Sequence, residues 1–173
     1  MTPAQILEIM PFAEARVMAF AQPLTDAMAE HEINTARRQA AFLAQVAHES
    51  GQLRYTCELA SGEEYEGRKD LGNSQPGDGP LFKGRGLLQI TGRTNYEACG
   101  RALDLPLVQT PQLLEAPAGA CRSAAWFWVT HELNELADEN KFCAITKIIN
   151  GGYNGIDERL GYYLQARRTL GAA

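Results

Sequence analysis

The stretch AHESGQLRYTCELASGEEYEG carries two carboxylates in unlike local settings, Glu49 and Glu58. Hydrolysis of a glycosidic bond needs one group to protonate the departing oxygen and another to direct water at the anomeric carbon. Two carboxyls in different surroundings can divide that work. Glu49 ends a run of apolar residues at helical spacing, so part of its surroundings is hydrocarbon, where loss of water favours a carboxyl that keeps its proton. Glu58 follows a turn signalled by Gly51 and is placed to reach across from another element. The spacing alone is a weak signal, and Glu63, Glu64, Glu66, Asp70 and Asp78 compete with Glu58 for the part of base.

Other chemistries fit less well. His48-Glu49 does not open a zinc HExxH site, because Gln52 stands where the second histidine belongs. His31, His48 and His131 share no metal-ligand spacing, and neither a GxSxG nucleophile elbow nor a GxxxxGK[ST] phosphate loop is present. No metal and no cofactor is expected. Cys57, Cys99, Cys121 and Cys143 are widely spaced and read as free, mostly packed thiols.

The elements that must position these groups are mainly helical. Thr2 to Arg16 reads as a short amphipathic helix, and Thr35 to Ser50 as a stronger one with Ala36, Ala40, Leu43, Ala44 and Ala47 along one stripe. From Cys57 to Gly86 the glycines, acids and the segment DLGNSQPGDGP predict an irregular excursion, with short paired strands as an option. Further helices are expected at Asn95 to Leu103, Ala118 to His131, Lys141 to Ile149 and Ile156 to Thr169. The aromatics of AAWFWV read as core, with sugar stacking as the lesser alternative. The fold class is therefore mainly α, with a small irregular or β-containing lobe flanking a cleft.

The chain has 173 residues, enough for one domain with a sizeable core, and residues 1–173 are read as a single unit without a separate binding module. A net charge of -5 disfavours nucleic acid and anionic membrane as partners. Glu8, Glu14 and Arg16 interrupt the N-terminal apolar residues, so neither a signal peptide nor stable membrane insertion is expected.

Taken in order, AHESG, YTCELASGEEYEGRKDLGNSQPGDGPLFKGRGLLQITGRTNY and ITKIINGGYNGIDERLGYY resemble the bacteriophage endolysins of the glycoside hydrolase family 19 type, related in fold to chitinases. The resemblance covers about residues 35 to 170 and implies a lysozyme-like helical domain. It makes Glu49 the general acid and Glu58 the base, and gives Thr91 the task of holding the attacking water. Gln89, Asn95, Tyr96, Asn150 and Arg159 become candidates for binding sugar or organising the cleft. Local readings stand beside these. Thr91 can cap the next helix, Gln89 can bridge buried groups, Tyr96 can fill an interface, and Arg159 can form an ordinary ion pair. The implied reaction inverts the anomeric centre across carboxyls roughly 6.5 to 9.5 Å apart.

The resemblance further implies a monomeric peptidoglycan hydrolase of lysozyme type. It would cleave the β-1,4 bond between N-acetylmuramic acid and N-acetylglucosamine, accumulate in a host cytoplasm and reach the wall once the inner membrane is breached. A chitinase of the same family, a lytic transglycosylase and a noncatalytic glycan-binding module are the alternatives.

Overall fold

Thr35 accepts a hydrogen bond from the backbone N–H of Arg38 and so starts helix α3, Ala36–Glu49. Every residue from Ala40 to Ala47 is buried, including Gln45, which makes α3 the central rod of the molecule. Its alanines allow close approach by α9 (Ile156–Leu170), its most extensive neighbour. Phe42, with no exposed surface, meets the Trp128 ring edge-on at 5.4 Å; burial of such a side chain stabilises by about 1.5–3 kcal/mol. Beyond Glu49 the chain turns at Gly51, which has a φ of 55°. The computed structural model describes residues 1–172.

The N-terminal segment departs from the single helix expected over Thr2 to Arg16. Helix α1 spans Pro3–Ile9, opened by a reciprocal capping box between Thr2 and Gln5. Pro11 has no N–H to continue the ladder and forces Met10 out of helical geometry, so a 3₁₀ turn at Pro11–Ala13 follows. Helix α2, Val17–Glu30, was not anticipated; it continues through Pro23 because Phe20, Leu24, Ala27 and Met28 are buried along it.

Between Gly51 and α5 (Arg93–Leu103) the chain forms an irregular lobe with 3₁₀ turns at Glu63–Tyr65 and Lys69–Leu71 and the short helix α4, Asp78–Leu81. Among the described residues the strand option reduces to isolated antiparallel bridges, Cys57 with Arg85 and Arg85 with Ile90. Side chains have taken over the backbone's bonding there. Asp78 accepts from the N–H groups of Ser74 and Gln75, and Glu66 from those of Gly77 and Gly79. A small apolar cluster of Phe82, Ile90, Tyr96, Cys99, Leu103, Leu107 and Leu114 fastens the lobe to α5.

Helices α6 (Pro117–Thr130), α7 (Leu133–Asp138) and α8 (Phe142–Asn150) complete the body. Trp128 is core, donating to Asn134 at 2.9 Å, whereas Trp126 and Phe127 are half-buried. All four cysteines are free thiols; Cys99 and Cys121 are buried, Cys57 is half-buried and Cys143 exposed.

Candidate active site

A cleft of about 380 Å³ opens between the end of α3 and the irregular lobe, lined by Glu49, Tyr55, Glu58, Leu59, Tyr65 and Gln89 among others. Glu49 and Glu58 therefore share one concavity, each from its own wall.

Glu49 is held from beneath. Its Oε1 accepts from Arg159 Nη2 at 2.5 Å, and Arg159 itself has no exposed surface. The guanidinium is fixed on its other edges too, donating to Gln45 Oε1 at 2.5 Å and to the Asn154 carbonyl at 3.1 Å. Gln45 then donates to Thr146 Oγ1 at 2.8 Å. Since Gln45 precedes Glu49 by one helical turn, both face α9 and α8 on the same side of α3. The setting read from the helix alone was apolar; the fold adds a buried cation supplied from a distant segment. Glu49 Oε2 has no partner among the described residues and the side chain is 21% exposed, so the carboxyl is anchored at one oxygen and open at the other.

Glu58 is held by neutral donors. Its Oε2 accepts from the Tyr65 hydroxyl and the Gly84 N–H, both at 3.1 Å, while Oε1 is buried without a partner. Burial first, and the neighbouring Glu58 second, push the Tyr65 hydroxyl above its ordinary pKa, which keeps it a neutral donor. Lys83 clamps the segment by donating to the carbonyls of Glu58 and Ala60. Gly84 leaves room for two side-chain ends: a Cβ there would lie 2.5 Å from Gln89 Oε1 and 2.7 Å from Glu58 Oε2, so both would have to shift.

Gln89 sits in left-handed backbone at φ 51°, a strain of about 1 kcal/mol for a residue with a side chain. Its amide donates to the Gly86 carbonyl at 2.8 Å. It also lines an adjoining recess of about 180 Å³ with Thr91, Asn95, Trp126, Phe127 and His131. Thr91 donates its hydroxyl to the Gln89 carbonyl at 3.2 Å, leaving its oxygen able to accept, and Asn95 donates to the Thr91 carbonyl at 2.8 Å. The cap of α5 is Gly92 without a side-chain bond, so Thr91 does not serve as that cap.

Three candidates are not on the cleft lining. Tyr96 has no exposed surface and its hydroxyl donates to the Lys83 carbonyl at 2.6 Å, so it cannot stack on a sugar; the amphipathic face of α5 turns it into the lobe's core. Arg159 is equally enclosed and meets Glu49, which fits its candidacy for organising the cleft and not one for binding sugar. Asn150 accepts from Asn154 N–H at 3.3 Å, bracing the turn before α9 outside the cleft lining. Gln45 and Thr146 were missed, although an amide at a buried position of an alanine-rich helix, one turn before Glu49, was a visible signal.

Comparison with known proteins places this geometry. The glycoside hydrolase family 19 description, chitinase class I, matches residues 13–140. An endochitinase of Arabidopsis thaliana is 39% identical over 142 residues, covering 78% of this chain and 48% of its own length. A glycosyl hydrolase family 19 domain-containing protein of Haemophilus influenzae is 34% identical over 161 residues, covering 73% of this chain and 76% of its own. The chain thus spans about half the length of the Arabidopsis endochitinases it matches. Chitinase C from Streptomyces griseus superposes with a TM-score of 0.79 at 27% identity, over 98% of this chain and 76% of that one. A bacterial family 19 chitinase superposes at 0.80 with 25% identity, over 99% and 95% respectively. By sequence and by its mainly helical, lysozyme-like fold, this chain belongs to glycoside hydrolase family 19.

Proposed function

We propose that this protein hydrolyses β-1,4-linked glycans of N-acetylated hexosamines, with Glu49 as general acid and Glu58 as general base, and that its substrate is peptidoglycan. The observation that carries the reading is the pair of carboxyls in one open cleft, each anchored at one oxygen with the other unpartnered. Glu49 gives its proton to the departing glycosidic oxygen. Water on the opposite face of the sugar passes a proton to the Glu58 carboxylate and attacks the anomeric carbon, inverting it. The Thr91 oxygen accepts the water's second hydrogen and holds its orientation, while Gln89 and Asn95 meet the sugar's acetamido and hydroxyl groups.

The resemblance of the ordered motifs to phage endolysins supports peptidoglycan. So does the cleft's open rim, where Leu59 is 85% exposed and leaves space for the lactyl and peptide substituents of muramic acid. On this reading the monomeric protein acts on the bacterial wall during host lysis, released from the cytoplasm when the inner membrane fails. Chitin is the second reading, favoured by the names of the relatives, which include endochitinases of plants and bacterial chitinases. Both polymers present a β-1,4 bond beside N-acetylglucosamine.

The test is mass spectrometry of products from purified peptidoglycan and from chitin oligosaccharides in isotopically labelled water, with the product anomer read by NMR. The expected result is label at a new muramic-acid reducing end, in the inverted configuration. Anhydro-muramic ends would make the protein a lytic transglycosylase, and cleavage of chitin alone would make it a chitinase. Binding without new ends on either polymer would make it a glycan-binding module.

A further inference from the structure

A second concavity, of about 600 Å³, lies behind the Glu49 end of α3, lined by Phe12, Arg16, His48, Arg54, Glu158 and Tyr162 among others. The Tyr55 ring, on the cleft lining, touches residues of this second lining. Tyr55 lines the cleft, and the Arg54 guanidinium lies over the Tyr55 ring at 5.1 Å from its centroid. Gly51, on the lining of the second concavity, backs directly onto the same ring.

The walls of this concavity are tied together. Gln52 accepts from the Phe12 N–H and donates to the Tyr162 hydroxyl, both at 2.8 Å; Tyr162 donates to Glu158, and His48 Nδ1 meets Glu158 at 2.6 Å. Glu158, the carboxylate on the lining among the described residues, is thereby engaged. The two arginines are not. Arg16 donates only to the Phe12 carbonyl and its Nε is buried without a partner, while Arg54 is exposed and pairs with no carboxylate among the described residues. Two guanidinium groups on one cavity, neither paired with a carboxylate among the described residues, are unexpected in a chain of net charge -5.

We infer that this concavity binds carboxylate groups of the short acidic peptide carried by muramic acid, while the glycan strand occupies the neighbouring cleft. The inference rests on the peptidoglycan reading and deepens it, because chitin carries only neutral acetamido groups and has nothing to offer two arginines. Guanidinium forks match carboxylates in geometry as well as charge. Two extended residues reach about 7 Å, more than the 5.1 Å between the Tyr55 ring on the cleft lining and the Arg54 guanidinium.

The test compares wild type with the double variant Arg16→Gln, Arg54→Gln on peptide-bearing glycan strands and on the same strands stripped of peptide by an amidase. On peptide-bearing strands KM rises about tenfold in the variant, the worth of one charge-assisted contact, with kcat retained; on stripped strands neither constant moves. An equal change on both substrates, or none on either, overturns the inference. Arg54→Gln alone, at an exposed position, supplies the same comparison if the double variant unfolds.

A separate arm titrates the free tripeptide L-alanyl-γ-D-glutamyl-diaminopimelate into the wild-type protein by NMR. Saturable shifts around Arg16 and Arg54, lost in the variant, support the site. If the tripeptide saturates there but peptidoglycan is not cut, the proposed substrate fails and the anion site stands. If peptidoglycan is cut, no tripeptide binds and the strands are handled alike, the anion site fails and the substrate stands.

Discussion

Glu49 reaches the cleft from a buried helix and is met by a guanidinium fixed on three edges, whereas Glu58 reaches it from a lobe without strands and is met by a phenol and a backbone N–H. The helical wall fixes its carboxyl through side chains drawn from α3, α8 and α9, a relay in which Gln45, Thr146 and Arg159 have no exposed surface. The lobe fixes its carboxyl through backbone path and through space left by a missing side chain at Gly84. One family fold thus holds two similar groups by different means, and the means predict different failures. Damage to the first wall should touch stability and chemistry together. Damage to the second should touch chemistry with little effect on the helical core.

The largest expected effect comes from Glu49 itself. Glu49→Gln keeps an oxygen for Arg159 but has neither an acidic proton nor a charge, so kcat falls on the order of a thousandfold and stability falls by less than in a variant that also removes the acceptor. Glu49→Leu should be as inactive and also destabilised by about 3 kcal/mol, because it strands a fully buried guanidinium. Paired kinetics and thermal unfolding read both. Equal stability of the two variants would mean that the Arg159 contact does not anchor the wall.

Gly84→Ala comes next and probes the other wall without changing any reactive group. The added methyl would press on Glu58 Oε2 and Gln89 Oε1 together, so a loss of about a hundredfold in kcat is expected from displacement alone. Urea unfolding should stay within about 1 kcal/mol of wild type, since the collision is with side chains at the cleft. Near-normal turnover would show that neither side chain has to stay where it is.

Acid should separate the walls as well. Arg93 beside Asp78 is the main reason that the Asp78 carboxyl lies below its ordinary value of 3.8. A carboxylate lowered on folding stabilises fully above its unfolded value, and that contribution is lost as pH falls through the folded one. Below about pH 4 the lobe should therefore lose amide protection around Ser74 and Gln75 before α3 does, as hydrogen exchange would register. Simultaneous exposure of α3 would refute independent anchoring.

How much of this could be read beforehand follows from the range of each interaction. Helix α3 was legible because its cap at Thr35, its apolar stripe and its stop at Gly51 all lie within it. Pro11, equally local, was read through where it breaks the helix, and Pro23 concealed α2 because only tertiary burial outweighs its lost hydrogen bond. Glu49 and Glu58 were nominated from pattern and resemblance, and the fold brings both to one cleft. The setting of Glu49 is legible only through the resemblance, which nominates Arg159 for organising the cleft; Arg159 stands 110 residues away and no local pattern announces the contact. Tyr96 stays open between sugar face and interface filler for a related reason: its motif says that it matters, while only the packing of α5 says which way it points.

Thr146→Val tests the relay at its far end, out of reach of any sugar. Arg159 requires an acceptor from Gln45, so the amide must turn its NH₂ to Thr146, and valine leaves that NH₂ buried and unpaired. A destabilisation of about 1 kcal/mol is expected, with a drop of about tenfold in kcat at unchanged KM as Arg159 and Glu49 lose their fixed orientation. Thr146→Ser should restore both.

Tyr65→Phe should give the smallest effect, and its size measures how redundant the lobe's anchoring is. The substitution removes one of two donors to Glu58 Oε2 but leaves the Gly84 N–H and the Lys83 clamp in place. A neutral hydrogen bond contributes about 1 kcal/mol, and the remaining donor recovers part of it, so kcat should fall by only about threefold. Because burial and Glu58 raise the Tyr65 pKa, the wild-type enzyme should not begin to lose this bond at the alkaline pH where a free phenol ionises. A loss in Tyr65→Phe as deep as that of Gly84→Ala would mean that the hydroxyl contacts the reacting water or the sugar directly. The lobe would then hold a reactive group in addition to Glu58, and the contrast between an anchored wall and a shaped one would have to be redrawn.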